Sequence, residues 1–291
     1  MSHNRCQVAI HTVFLPRENL FFIKEWLAYH TYIGIDHFYL YDNTGSIGRG
    51  GSTPARNKYG IDFYTLTAAL SDAEVGAILN EILAEFGDHC TLIEWQPRDE
   101  KGQVVYGCEE SIIHCMYNYS RDVKWLCAID MDEFLYSPCN EPLDSLLDWL
   151  EDKGHSQCVL LQKKFEDRFL HLDKLVTNIE NCIEGIDTAI WGPKNIILTD
   201  AFYPDGIQSI HNIPVRFGSS HWIDTNRLRF NHYNVNGWQL NWMKQFYNCD
   251  SLFKLDVIDK GMRRYRDRLH SLCETFGRPE WRSAIMELDS L

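Results

Sequence analysis

Two aspartates separated by one residue, Asp130 and Asp132, and then Glu133, close the apolar run Trp125-Leu126-Cys127-Ala128-Ile129. Carboxylates at this spacing are hard oxygen donors that can share one divalent cation, and a cation so held also grips substrate phosphates. In an extended chain residues two apart point to the same side, so both aspartates would face one ion. Glu133 would then point the other way and support a nearby backbone group or arginine. The apolar run reads as a central strand of a parallel sheet covered on both faces, and ligands of open α/β sheets bind at its carboxyl end. An isolated D-x-D is more often a solvated strand cap. Here the buried-type strand ahead of it and Phe134-Leu135 behind it, which would anchor the turn, favour the metal reading.

The segments around this pair alternate in a way that could position it. Residues 8–14 read as a first strand punctuated by Pro16, and Phe21, Phe22, Trp26, Leu27 and Tyr29 give a helix closed near Gly34. A second strand follows at His37–Asp42, then a Gly-, Ser- and Thr-rich loop from Asn43 to Lys58. Residues 71–86 predict an amphipathic helix with Ser71 as N-cap and Gly87 as its stop. A third strand at 90–95 and a helix over 103–119 lead into the acidic strand. This is the opening of a Rossmann-like α/β half. Beyond Pro138 the expected elements are a helix over 143–153 and strands near 159–165, 195–198 and 227–232, with helices from Trp238 onward. With no repeat or low-complexity linker, residues 1–291 read as one domain: a ligand-binding half at 1–135, a second half at 136–236 and C-terminal helices at 237–291.

Composition narrows the function. At 291 residues and 45% hydrophobic the chain can bury a substantial core, while a net charge of -13 and a pI near 5.3 exclude nucleic acid as a partner, whose binding draws on lysine and arginine. The basic cluster Arg263, Arg264, Arg266 and Arg268 is broken by Tyr265 and Asp267 and reads as a solvated helix face. The ten cysteines lack zinc spacing and read as reduced thiols. No apolar leader and no segment of about 20 apolar residues is present, so a cytoplasmic, soluble protein with no transmembrane segment is expected. P-loop, dinucleotide-fingerprint, nucleophile-elbow and H-E-x-x-H motifs are absent.

Four motifs together resemble glycosyltransferase family 92 and its family-2-like relatives. Trp125 to Leu135 is similar to W-x-x-x-x-D-x-D-E-F-[LI]. The stretches Glu25-Trp26-Leu27-Ala28-Tyr29-His30 and Gly34-Ile35-Asp36-His37-Phe38-Tyr39-Leu40-Tyr41-Asp42-Asn43 are similar to E-W-x-x-Y-H and G-[VI]-D-H-F-x-[IL]-Y-D-N. Weaker echoes are Lys194 with Ile196-Ile197 leading to His211, and His232-Tyr233 followed by Lys244. The resemblance implies a GT-A fold, with a Rossmann-like nucleotide-sugar-binding half and a mixed, mainly parallel central sheet flanked by helices. It also implies a UDP-sugar donor, a glycan or other saccharide acceptor, manganese or magnesium, and inverting hexosyl transfer with galactose favoured.

Carried over by position, Asp130 and Asp132 would bind cation and diphosphate, and Asp42 would reach the nucleoside or else serve as an ordinary turn residue. His232 is the third metal ligand, with His211 in reserve, and Lys194 and Lys244 would balance the diphosphate. The general base is expected at Glu166 or Asp167, with Asp224 behind them. Glu18-Asn19 reverses the order usual in the relatives, which leaves its role between a helix cap and a substrate contact. Two rivals stand beside this reading. One is a non-catalytic carbohydrate-binding protein, suggested by nine tryptophans and fourteen tyrosines. The other is a haloacid-dehalogenase-type phosphatase, whose D-x-D also follows an apolar strand.

Overall fold

A computed structural model describes residues 5–46, 70–171, 174–188, 192–207, 209–235 and 254–276. Strand β1 (Cys6–Phe14) is apolar on both faces, which suits only the middle of a covered sheet. Val8, Ile10 and Phe14 enter one apolar cluster, Ala9 and Val13 the other. β1 pairs in parallel with β2 (His37–Asp42) and with β4 (Val123–Ala128), and β2 pairs in parallel with β3 (Cys90–Glu94). The sheet continues through β9 (Lys194–Leu198), antiparallel to β4 and to β6 (His155–Leu160), and ends at β10 (Ser219–Trp222), parallel to β6. The order is β10-β6-β9-β4-β1-β2-β3.

Helices cover both faces. α2 (Ile23–Tyr32), α3 (Asp72–Ala84) and α5 (Leu143–Asp152) pack on the side of Ile10, and α4 (Cys108–Tyr119) packs on the side of Val13. A short α1 (Pro16–Asn19) precedes α2. In α5 the leucines at 143, 146, 147 and 150 recur at helical spacing and are all buried. Each contributes roughly 1.5–3 kcal/mol by leaving water. Ser71 caps α3 in a reciprocal pair with Glu74, as its position predicts.

Three expectations change. The helix expected from residue 103 begins at Cys108, because Arg98 and Val104 bridge and Gly107 takes a left-handed turn at φ 58°. A Cβ at Gly107 would lie 2.8 Å from Pro97 Cγ and 3.3 Å from Trp95 Nε1. Gly107→Ala should therefore cost roughly 1–3 kcal/mol, read as a lower midpoint in thermal melting; an unchanged midpoint would contradict the assignment.

The single strand expected at 159–165 is two. β6 stays in the large sheet, Leu161 breaks the run, and β7 (Gln162–Glu166) joins a second sheet of order β12-β8-β7-β11-β5. Its other members are β5 (Glu133–Tyr136), β8 (Asn181–Cys182), β11 (Arg229–Val235) and β12 (Val257–Ile258). The acidic turn therefore lies where one sheet hands the chain to the other.

Residues 236–253 and 277–291, within the expected C-terminal helices, lie outside the described residues. Between them β12 and a single-turn helix lead into α6 (Arg266–Phe276). The arginines there are more than a solvated face. Arg263 bonds Glu180, and Arg264 bonds the Ser137 carbonyl and stacks on Tyr136, which pins this segment to β5. The eight described cysteines are free thiols, and no described helix is long and apolar enough to cross a membrane.

Candidate active site

β4 stops at Ala128, and Asp130-Met131-Asp132 forms a turn closed by Glu133 N–H donating to the Asp130 carbonyl at 3.1 Å. The expected extended strand is thus replaced by a turn, and the two carboxylates take different partners. Asp130 Oδ2 lies 2.7 Å from Lys194 Nζ, and Asp132 Oδ2 lies 3.2 Å from His232 Nε2. Glu133 does not point away: its Oε2 accepts from the Asp130 N–H at 2.8 Å and lies 3.2 Å from Lys194 Nζ. Two strand pairings bring these partners in. Asn195 of β9 stands opposite Ala128, so Lys194 emerges beside Asp130, and His232 of β11 stands opposite Glu133.

The exposures divide the cluster into an accessible half and an enclosed half. The Asp130 and Asp132 side chains are 38% and 34% exposed, whereas Lys194 and Glu133 are 2% and 1% exposed. Burial would strip Lys194 of its charge, but Asp130 and Glu133 outweigh that and hold its pKa above the ordinary lysine range. Burial raises the Glu133 carboxyl to about 7 against the pull of Lys194. Although about a third of its side chain reaches solvent, the protein around Asp132 disfavours its charged form, yet His232, Lys194 and Arg168 together keep its pKa below the usual carboxylate value.

The His232 ring is fixed by an amide. Gln162 donates through Nε2 to Asp187 Oδ2 at 3.1 Å, which turns its Oε1 toward His232 Nδ1 at 2.7 Å. An amide oxygen only accepts, so Nδ1 carries the proton and Nε2 turns toward the Asp132 carboxylate. A neutral imidazole in that pose sets two acceptors face to face. Either a second proton or a cation must lie between them, and a carbonyl-anchored imidazole beside a carboxylate is a donor set that suits manganese or magnesium. Burial lowers the affinity of His232 for the second proton, but Asp132 and Glu133 outweigh that and raise it. Among the described residues no group of three or more His, Cys, Asp and Glu converges on one metal position, so a cation held by Asp132 and His232 would have two donors from this pair and would need other oxygens to complete its shell.

The motif at 25–30 acts on this turn from behind. Trp26 Nε1 donates to the Glu133 carbonyl at 2.9 Å, and Tyr29 Oη donates to the Leu135 carbonyl at 2.6 Å. His30 Nε2 accepts from the Leu135 N–H at 3.3 Å; burial lowers its pKa to about 3, so the ring is neutral and can accept. These side chains satisfy backbone groups of β5 on the edge that, among the described residues, no strand pairs. Arg168, 2% exposed, donates to the Met131 carbonyl at 2.7 Å, lies 3.7 Å from Glu25 Oε2 and sits 3.7 Å over the Phe22 ring. The middle residue of the acidic turn is therefore held by a buried guanidinium. Nothing in the residue types alone marked Arg168 for this task. Gln162 had a faint signal, as the one polar residue between Val159 and Leu161 on one side and the β7 lysines on the other.

The remaining predicted residues fall as follows. Asp42 ends β2, two strands or about 10 Å from β4. Its Oδ1 accepts from Thr44 N at 2.9 Å and Thr44 Oγ1 at 2.6 Å, so it serves as a turn residue through that oxygen. Glu166 is engaged by His171 at 2.8 Å and Asn181 at 3.2 Å, and the His171 bond leads in holding its carboxyl below the usual range. Asp167 is buried beside Arg168. Asp224 is exposed and accepts from Asn226 N in a turn. His211 donates through Nδ1 to the Pro193 carbonyl at 2.9 Å; burial and then Lys194 lower its pKa. Asn19 Nδ2 donates to the Leu15 carbonyl within the first helix. Lys244 lies outside the described residues.

Comparison with known sequences places this site in context. The profile of glycosyltransferase family 92 matches residues 56–281. A family 92 protein of Oryza sativa subsp. japonica is 23% identical over 260 residues, covering 86% of this chain and 37% of the relative. Another, of Ricinus communis, is 20% identical over 273 residues, covering 92% of this chain and 43% of the relative. The chain thus spans less than half the length of either curated relative.

Proposed function

Because the chain belongs to glycosyltransferase family 92, whose membership indicates a glycosyltransferase, we propose that it moves a hexose, galactose favoured, from a UDP-sugar to a saccharide acceptor with inversion. The observation that carries the metal-assisted form of this reading is the His232 imidazole, anchored by Gln162 and facing the Asp132 carboxylate at 3.2 Å. Asp132 and His232 would hold manganese or magnesium, which when bound draws electron density from the leaving diphosphate. Asp130, more than a third exposed at the carboxyl end of β4, faces the donor side. The base would be Glu166 or Asp167, at the end of β7 and next to Arg168, whose guanidinium holds the acidic turn. That carboxylate would take the acceptor hydroxyl proton as the sugar, with oxocarbenium character, leaves the diphosphate.

The finer fold reading, GT-A, is supported by the parallel order β3-β2-β1-β4 with the acidic pair directly after β4. The phosphatase rival is not favoured by any of these observations, and family membership speaks against it. A panel of nucleotide-sugars assayed for nucleotide release should give turnover with a UDP-hexose only when manganese or magnesium is present. UDP with manganese at about 100 times its Kd should add about 2.7 kcal/mol of stability, lost on addition of EDTA. Absence of metal-dependent release from every donor in the panel would refute the proposal.

A further inference from the structure

Lys194 is an almost fully enclosed cation at the centre of the site. Its Nζ contacts Asp130 Oδ2 at 2.7 Å and Glu133 Oε2 at 3.2 Å, and Glu133 Oε2 also accepts the Asp130 N–H at 2.8 Å. Three groups therefore close on one another with the ammonium between two carboxylates, and the lysine side chain is 2% exposed. A lysine so placed has little capacity left for a diphosphate, because two of its three protons point at carboxylates and water reaches almost none of it. It occupies the position relative to Asp130 and Glu133 that a small cation would take. Asp132 is turned instead to His232.

We propose that Lys194 is a positioning residue that acts as a permanent internal counter-ion: it withholds Asp130 from metal coordination, limits the chain to one divalent cation at Asp132 and His232, and by its presence blocks a second cation position between Asp130 and Glu133. This rests on the metal site proposed above and adds a division of labour within the acidic pair. Asp130 is oriented by Lys194 toward the donor, and Asp132 binds the ion. The niche suits a cation in chemical terms. It offers hard carboxylate oxygens from two residues, one of them almost fully enclosed, in place of the +1 charge that would be removed.

The test is manganese binding to the purified chain, with manganese alone as probe, followed by electron paramagnetic resonance and calorimetry. Wild type should bind one ion. Asp132→Asn should weaken binding by at least about a hundredfold, since even residues behind a ligand are worth 10–100-fold. Asp130→Asn should change affinity by less than about fivefold, the size of a screened charge effect. Lys194→Met should bind two ions, Lys194→Arg one, and Lys194→Met with Asp130→Asn one.

A wild type that binds no manganese, or whose binding ignores Asp132→Asn, sinks the metal reading itself. Binding that collapses equally in Asp130→Asn and Asp132→Asn leaves that reading intact and overturns the role of Lys194. One ion in Lys194→Met also overturns it. Because Asp130 is more than a third exposed, its variant gives a decisive result even should Lys194→Met fold poorly.

Discussion

Asp132→Asn should lose at least about a thousandfold in kcat/KM with a UDP-sugar while its melting temperature stays close to wild type. The loss is large because the carboxylate charge is what would hold a cation against His232 at 3.2 Å, and an amide contributes no charge to that task. The fold should tolerate the change for three reasons. The side chain is about one-third exposed, so no enclosed charge is orphaned. The turn is fixed by main-chain bonds that survive, from Glu133 N to the Asp130 carbonyl and from Tyr233 N to the Asp132 carbonyl. The amide is also isosteric and can donate to His232 Nε2. Steady-state assays across manganese concentration, paired with circular dichroism melts, provide the check. Turnover within tenfold of wild type at saturating manganese would exclude Asp132 from the metal role.

The position of the acidic pair directly after an apolar strand was legible from residue type, and so was the alternation of strands and helices that leads to it. β2 and the capped α3 follow from alternation, helical spacing and Ser71, all of which are local signals. What escaped was set by partners far along the chain. The run 159–165 is uniformly strand-like, and only the competing neighbours, β9 and β10 on one side and β11 on the other, divide it at Leu161. β8 and β12 are two residues each and exist through pairing rather than propensity.

The site shows the same limit. Lys194 could be placed near phosphates by resemblance, but its enclosure by Asp130 and Glu133 depends on the β4/β9 register. Likewise Trp26 and Tyr29 read as part of an apolar helix face, and His30 only as part of a motif. Their polar atoms turn out to hold the open edge of β5, because among the described residues no strand lies beside that edge. Motif residues that look like core can thus position the acidic turn through their one polar atom.

Arg168→Met should be the most destabilising of these changes, and its cost should grow with pH. The variant keeps the apolar packing on Phe22 but removes the donor to the Met131 carbonyl and the only cation beside Glu25 shown among the described residues. Breaking one side of a buried pair costs roughly 3–5 kcal/mol, or about 10 °C for a chain of this size. Glu25 is 5% exposed, and burial raises its carboxyl to about 7 despite Arg168 and the Val176 N–H at 2.6 Å. A carboxyl whose folded pKa exceeds its unfolded one binds its proton more tightly when folded. The associated stability is fully present below about 4.5 and is lost as pH rises through about 7. Without Arg168 the folded pKa rises further, so the loss extends to higher pH and the deficit relative to wild type widens as pH rises past about 7.

Glu25→Gln in the Arg168→Met background should recover about 2 kcal/mol at pH 8, since the amide oxygen still accepts from Val176 and no charge remains buried. Manganese affinity should fall by about 10–100-fold in the single variant, because Met131 lies between the two aspartates and its carbonyl anchors their turn. A deficit that stays constant across pH would show that Glu25 carries no part of the effect. A double variant no more stable than the single one would locate the whole cost in the Met131 carbonyl.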